Sequence, residues 1–549
     1  MAVGGVTRRE LLTAMLGAPF AAAACHTATR PSPLPPGELV GASDKLGHRL
    51  RDLRAQPPAP TRRERAAIVI VGGGVAGLSA AWRLARAGVT DFVVVELERE
   101  PGGTARAGRV AGQDCPLGAH YLVAPFAENR ALVTLLSELG AVTGVDDATG
   151  EPQFAEEQLV ADPEERVFYK GRWYEGLYLH AGASADDQRQ LTAFRAEIDR
   201  WVAFRDARGR RAFTVPVAAC SDDAEVTALD RSSMAEWLAA RSFTSPRLRW
   251  LVDYACRDDF GATAAQTSAW AGLFYFAARM PRPGDDSQPL LTWPEGNGRL
   301  VAQLARAATG RLRTGLAVVD VEPGAPGGEG ARLTALDAAG ELLGLDAEQV
   351  IFAAPQFVAG RALRPFRAAP PAHLREFTTG AWMVANVAVP ERPGGLGFPL
   401  AWDNVLYESP SLGYVVATHQ QPGSRGPTVL TYYHPLCDDD PRAARSRLLA
   451  LGRDEWAEVA LADLSRAHPG LREQATRVDV ARWGHAMVRP SPGFLFGGAR
   501  AAAARPVGRV RFAHSDLSGV ALFEEAFYQG VRAAEEVLAE RGVASPSLL

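Results

Sequence analysis

Ala67-Ile68-Val69-Ile70-Val71-Gly72-Gly73-Gly74-Val75-Ala76-Gly77 is the stretch on which the fold turns. Its first five residues are apolar and mostly β-branched, as expected of a strand buried on both faces of a parallel sheet. The glycines follow at once. Leu78, Ala81, Trp82 and Ala85 then fall at helical spacing, and Gly88 supplies a stop. A second apolar run, Phe92-Val93-Val94-Val95, ends at Glu96. Strand, glycine turn, helix and second strand together make a Rossmann-type βαβ unit. In such a unit Gly72 permits the tight turn, Gly74 lets backbone approach a pyrophosphate, and Gly77 lets helix and strand pack closely. Val75 and Ala76 open the helix, where free N–H groups and the helix dipole favour anions. Glu96 stands where a carboxylate accepts hydrogen bonds from an adenosine ribose.

The rest of the chain is consistent with a large globular protein. It has 549 residues, 47% hydrophobic and 22% charged, enough for two substructures with cores of their own. A formal net charge of −4 gives no electrostatic reason to expect nucleic acid as a partner. Lys45 and Lys170 are the only lysines, so nearly all the basic residues are arginines, a bias of composition without functional content. The cysteines, at positions 25, 115, 220, 256 and 437, form no CxxC pair, and HExxH is absent. Neither a metal site nor a disulfide framework is therefore expected.

The amino terminus reads as an address. Arg8-Arg9 precedes a short apolar run from Leu11 to Ala24, shorter than the roughly 20 residues a membrane span needs. This resembles a twin-arginine (Tat) export signal, a route taken by proteins already folded around a cofactor. Ala22-Ala23-Ala24 suits a signal peptidase, and Cys25 directly after it resembles a lipoprotein attachment site, although Ala22 stands where a leucine is usual. Residues 1–25 are thus expected to be a signal peptide, and the protein periplasmic or held at the membrane as a lipoprotein. Residues 26–65, with seven prolines from Pro31 to Pro60, read as a linker before a folded body that begins near Ala66.

The segment Glu96-Leu97-Glu98-Arg99-Glu100-Pro101-Gly102-Gly103-Thr104-Ala105-Arg106 resembles the second diphosphate-binding motif of the flavin-containing amine oxidase superfamily. That group includes monoamine and polyamine oxidases, protoporphyrinogen oxidase and phytoene-desaturase-like enzymes. The resemblance implies FAD as cofactor. Gly102, Gly103 and Thr104 would lie at its phosphates, with threonine standing where the family usually has arginine. Pro116-Leu117-Gly118-Ala119-His120-Tyr121-Leu122 is similar to the family segment passing the isoalloxazine ring, which implicates Gly118, Ala119 and His120. Further blocks recur in the same order. Trp293–Leu300 is similar to the family's glycine turn before a helix, Leu316–Val321 to the strand whose valine (here Val318) packs near the adenine, and Gln349–Pro355 to a closing strand. Val510–Asp516 resembles the strand leading to a glycine-plus-acid motif, which implies a ribityl or phosphate contact from Asp516 or Ser515. Phe523–Ala534 matches the last helix, whose N-terminus, with Glu524 and Ala526, would face the flavin's pyrimidine edge.

What the resemblance implies for the fold is α/β: a Rossmann-like FAD-binding domain assembled from residues 66–150, 290–365 and 481–549. An α+β substrate-binding domain is inserted as residues 151–289 and 366–480. Within the insert, Leu191, Phe194, Ile198, Trp201 and Phe204 fall near helical spacing, and Trp237-Leu238 and Leu248–Cys256 suggest two more helices. Trp270–Phe276 reads as packing or as the lining of an apolar cavity. Arg257-Asp258-Asp259 reads as an ion network at a surface or domain interface rather than as catalytic groups.

Trp483-Gly484-His485 resembles the tryptophan segment that approaches the flavin in amine oxidases. It makes Trp483, His485 and His120 the candidate catalytic residues, with His485 a base, a substrate donor or a structural histidine. Many amine oxidases carry a lysine on the strand after the Ala-Pro segment, yet Thr379–Val387 has none. The expected chemistry is hydride transfer from a small-molecule substrate to the flavin, with oxygen or a quinone as electron acceptor. Alternatives are a desaturase or dehydrogenase acting on a lipid or terpenoid, and a flavin-binding partner without catalysis. An apolar tunnel would favour the desaturase, and a polar cage the amine oxidase.

Overall fold

The glycine-rich motif and its flanking strand sit at the centre of a sheet built from three distant parts of the chain. In the computed structural model, residues 33–52, 59–325, 330–421, 426–437 and 440–549 are described. Strand Arg62–Val71 pairs in parallel with Phe92–Val95 on one side and with Leu342–Phe352 on the other. Ala66 through Val71 are all buried, as their unbroken apolar run requires. The 11-residue strand Leu342–Phe352 is long enough to serve two neighbours. Its first half pairs antiparallel with Ala331–Asp337, and Val350–Phe352 pairs in parallel with Val510–Phe512. Leu316–Glu322 closes one edge and Leu312–Arg313 the other.

Helix Val75–Arg86 covers this sheet and packs against helix Phe523–Glu540. Their approach is close enough to dictate sequence: a Cβ on Gly530 would lie 2.1 Å from the Ala76 carbonyl oxygen. The C-terminal helix is thereby brought beside the first glycine turn.

The inserted half is an eight-stranded mixed sheet in the order Leu39–Val40, Arg477–Val488, Thr379–Val389, Thr428–Pro435, Gly413–Val416, Asp403–Leu406, Glu165–Tyr169, Arg172–Glu175. Strand alternation decides which side chains reach the site. Along Thr379–Val389, Ala381, Met383, Ala385 and Val387 face helices Pro441–Ala450 and Arg453–Ala467, in a cluster with Leu448 and Trp456. Trp382 and Val384, on the opposite face, cluster with Tyr433 and Trp483. Helices Ala185–Ala203, Met234–Ala240, Pro246–Phe260 and Ala269–Ala277 share a separate core in which Phe194, Trp201, Trp270 and Phe274 are buried. The three helices expected in this region are therefore present, and Trp270–Phe276 mostly packs.

The segmentation differs from expectation at two places. Part of the stretch read as linker is woven into the fold: Leu39 and Val40 pair with Val480 and Ala481, and Asp44–Asp52 is helical. The Ser43 N–H donates to the Glu98 carboxylate at 2.8 Å, and the body's first long strand starts at Arg62. The prolines interrupt structure here without preventing edge-strand pairing. The boundary drawn at 480/481 falls inside strand Arg477–Val488, whose tryptophan end belongs to the substrate sheet. Residues 1–25, with Cys25, and residues 26–32 lie outside the described residues. Among the described residues, Cys115, Cys220, Cys256 and Cys437 are buried and form no disulfide. No helix there is long and apolar enough to cross a membrane.

Candidate active site

The two glycine turns touch. The Gly102 N–H donates to the Gly73 carbonyl at 2.8 Å, and Gly74 and Gly102 form an isolated parallel bridge. Gly72 has φ +103°, which only glycine adopts freely, and a Cβ on Gly77 would sit 1.8 Å from the Gly72 oxygen. Gly74 caps the helix begun by Val75 and Ala76, and nothing lies within 4 Å of where its Cβ would be. That open side is where an anion can approach the helix N-terminus. The Glu96 carboxylate accepts from Gly73 N–H at 2.5 Å and Glu98 N–H at 2.8 Å. Burial raises its pKa despite both bonds.

From Thr104, beside the second glycine turn, a cavity runs into the substrate half and is partly open to solvent. Thr104, Gly118, Ala119, Asn297 and Leu522 through Glu524 line one part. His120, Phe274, Trp382, Val384, Tyr433 and Trp483 form largely aromatic walls elsewhere. The walls are held by hydrogen bonds to the chain segment they enclose: the Tyr433 hydroxyl donates to Gly118 O at 2.8 Å, and Trp483 Nε1 to Leu117 O at 2.6 Å. His120 stacks on Tyr433 with ring centroids 4.6 Å apart. Burial pushes His120 down to about 3, so it is neutral at physiological pH.

One end of the cavity is polar and acidic. Asp259 pairs with Arg279 at 2.6 Å, and the Tyr121 hydroxyl donates to Asp259 at 3.2 Å. Asp258 lies beside them and makes no ion pair among the described residues. Burial, then the nearby charges of Asp259 and Asp403, hold the Asp258 carboxyl well above the usual carboxylate range. Burial, with Glu164, Asp403 and Asp258 adding to it, pushes Glu165 up to about 8. Burial also pushes Asp403 up to about 7, although the Tyr254 hydroxyl donates to it at 3.0 Å. One guanidinium thus serves several carboxyl groups. Burial favours the neutral carboxyl at Asp258, Glu165 and Asp403. Asp258 and Asp259 line the cavity, and Glu165 and Asp403 are not among the lining residues.

The structure brings most of the sequence candidates together, with three departures. His485 does not line the cavity. Its Nδ1 bonds Thr379 Oγ1 at 2.8 Å and its ring stacks on Phe357. The cause is a bulge: pairing with Thr379–Val389 shifts between Gly380 and Trp382, so Trp483, Ala486 and Met487 face inward while His485 turns away. Asp258 and Asp259, read as an ion network at a surface or interface, line the cavity instead, and the Arg257 Nε bonds Asp253. Asp516 is buried with its carboxylate engaged inside the protein, by Gln356 N–H at 2.8 Å and His514 Nδ1 at 3.1 Å. Burial would raise it, but the His514 and Gln356 contacts outweigh burial and lower its pKa.

Ser515 is buried beside Asp516, Val318 is buried in its strand next to a bulge, and Glu524 lines the cavity, pushed up by burial to about 7. Ala526 stands one turn into the last helix and is not among the lining residues. The residues missed in the sequence are Tyr121, Arg279, Trp382, Tyr433, Glu165 and Asp403. Of these only Tyr121 sat in a recognisable motif.

These features fit FAD. The glycine cradle is open at Gly74, Glu96 presents a carboxylate beside it, and buried polar atoms of Arg106, Gln356 and Asn297 lack partners within the protein. Comparison with known proteins agrees. Residues 75–538 match the family model for flavin containing amine oxidoreductase. A Baeyer-Villiger monooxygenase of Streptomyces coelicolor is 41% identical over 66 residues, and polyamine oxidase 7 of Oryza sativa is 38% identical over 64. Each match spans 12% of this chain and 13% of the relative. Over most of the chain the likeness is one of fold. Putrescine oxidase bound to putrescine matches with TM-score 0.60 and 18% identity, covering 87% of this chain and 100% of that one. Cyclohexylamine oxidase of Brevibacterium oxydans matches at 0.59 and 17%, over 87% and 99%. A fatty acid isomerase of P. acnes matches at 0.59 and 13%, over 86% and 98%.

Proposed function

The chain belongs to the flavin containing amine oxidoreductase family, an FAD-dependent oxidoreductase, and from that premise we propose that it oxidises small amines carrying positive charge. The observation that carries this reading is the acidic end of the cavity, where Asp258 lines the same space as the aromatic walls, feels the Arg279 charge, and makes no ion pair among the described residues. An ammonium group placed there would complete the charge set that Arg279 only begins. The aromatic faces of Trp382, Tyr433 and Trp483 add favourable contacts for a cation and its alkyl chain. Bound FAD supplies the acceptor for a hydride from the carbon next to nitrogen, and oxygen or a quinone then takes the electrons.

Val384 faces the cavity from the strand on which many relatives carry lysine, and His120 is neutral. Among the described residues the lining cation is Arg279, which Asp259 neutralises, so little positive charge opposes the substrate, and the amine's proton leaves toward solvent. The polar end disfavours a desaturase with a wholly apolar tunnel. A cavity beside Trp483 also argues against a flavin carrier without catalysis. Export by the Tat route, with the protein periplasmic or tethered through Cys25, is part of the same proposal and rests on residues 1–25.

Anaerobic bleaching of the bound flavin tests the reading. Diamines and small monoamines should reduce the flavin, and unsaturated fatty acids of similar length should not. Bleaching by the fatty acids alone would overturn it in favour of the apolar alternative.

A further inference from the structure

We propose that Arg106 supplies the positive charge that holds the FAD diphosphate in this chain, replacing an arginine that the second glycine turn lacks. The turn reads Gly102-Gly103-Thr104, so no cationic side chain stands directly after the glycines. Arg106 is 7% exposed, and its Nε and Nη2 are buried without a hydrogen-bond partner. Its Nη1 reaches only the Glu100 carbonyl, at 3.5 Å, a marginal contact. Among the described residues no other arginine leaves two of its nitrogens in this state.

The position of the side chain explains what its partner would be. Its stem runs against Gly102, whose Cβ would meet the Arg106 Cα and Cγ at 3.3 Å. Gly102 is in turn bonded to Gly73 in the first glycine turn. The guanidinium lies 5.7 Å from the Trp483 ring centroid. Arg106 therefore spans from the junction of the two phosphate-binding turns toward the ring end of the cavity. Glu96, whose carboxyl feels the Arg106 charge, already accepts two backbone N–H groups and forms no ion pair with it. A buried guanidinium without a partner is strongly unfavourable, whereas a guanidinium beside a diphosphate makes short, charge-assisted bonds. The helix N-terminus at Val75 offers N–H groups to the same anion but only a partial charge. Arg106 would provide the full one.

The test is Arg106→Met, with Arg106→Lys and the double variant Thr104→Arg/Arg106→Met beside it. Apoprotein is titrated with FAD, and separately with ADP, which has the diphosphate but no flavin ring. Arg106→Met should weaken both ligands by about 30-fold or more. Its apoprotein should melt at or above the wild-type temperature, because an unpaired buried charge has been removed, while the gain in melting temperature on adding FAD shrinks. Arg106→Lys should fall between, and Thr104→Arg should restore most of the lost affinity. FAD and ADP affinities within threefold of wild type would overturn the proposal. So would a loss confined to FAD, which would put the contact at the ring instead. Should Arg106→Met fail to fold, the Lys variant carries the same comparison of FAD with ADP.

Discussion

Replacing Asp258 by asparagine keeps the side chain's shape and removes a cavity carboxyl that makes no ion pair among the described residues. An ammonium about 4 Å from a carboxylate at an effective dielectric near 20 gains roughly 4 kcal/mol. Part of that is lost in stripping water from the amine and in ionising a carboxyl whose pKa burial has raised. A net of about 1.5–3 kcal/mol remains, a charge-assisted hydrogen bond's worth. Asp258→Asn should therefore weaken amine binding by roughly 10- to 150-fold. The assay is stopped-flow reduction of the bound flavin without oxygen, at a series of amine concentrations. The apparent dissociation constant should rise by that factor, with the limiting reduction rate changing far less, because Asp258 binds and does not react. The variant should also lower the Glu165 pKa, since the Asp258 charge helps to raise it. Unchanged affinity for the amine, or the same loss for an uncharged substrate, would refute the electrostatic reasoning.

Other consequences are open to test. Glu165 and Asp403 have pKa values raised to about 8 and about 7, so they gain negative charge as pH rises through that window. kcat/KM for a cationic amine should climb from pH 6.5 to 8.5, and a profile falling over this range would contradict the assignment. The same groups favour the folded state while neutral, so their stabilisation is complete below about pH 4.5 and lost as pH passes 7 to 8. The apoprotein's melting temperature should accordingly drop between pH 6 and 9, measured by calorimetry at constant ionic strength. Gly77→Ala places a Cβ 1.8 Å from the Gly72 carbonyl, where backbone must move. It should cost about 2 kcal/mol or more of stability and release FAD during gel filtration. His485→Ala, by contrast, should leave kcat within about threefold, because that ring packs on Phe357 outside the cavity.

The flavin-binding half was largely legible because its physics is local in sequence. A buried parallel strand, a turn that only glycine fits and a helix N-terminus aimed at phosphate must follow one another within a few residues. Ala67–Gly77 therefore announced itself, whereas Gly102-Gly103 and Gly118-Ala119 were found through their resemblance to family motifs. The inserted half follows different rules. Asp258, Arg279, Asp403 and Tyr433 are far apart in the chain, and each alone reads as an ordinary surface charge or core aromatic.

Residue order by itself determined that this chain builds a dinucleotide cradle, and which glycines form it, because those constraints are steric and act between near neighbours. Only the tertiary structure decided which face of strand Thr379–Val389 meets the cavity, and that a bulge turns His485 outward while Trp483 stays in. It also decided that several carboxyls from separate strands and helices share one buried end with a single arginine. Long-range pairing sets strand register, and register sets the face each side chain occupies. Burial then sets the charge state, a property that no residue carries alone.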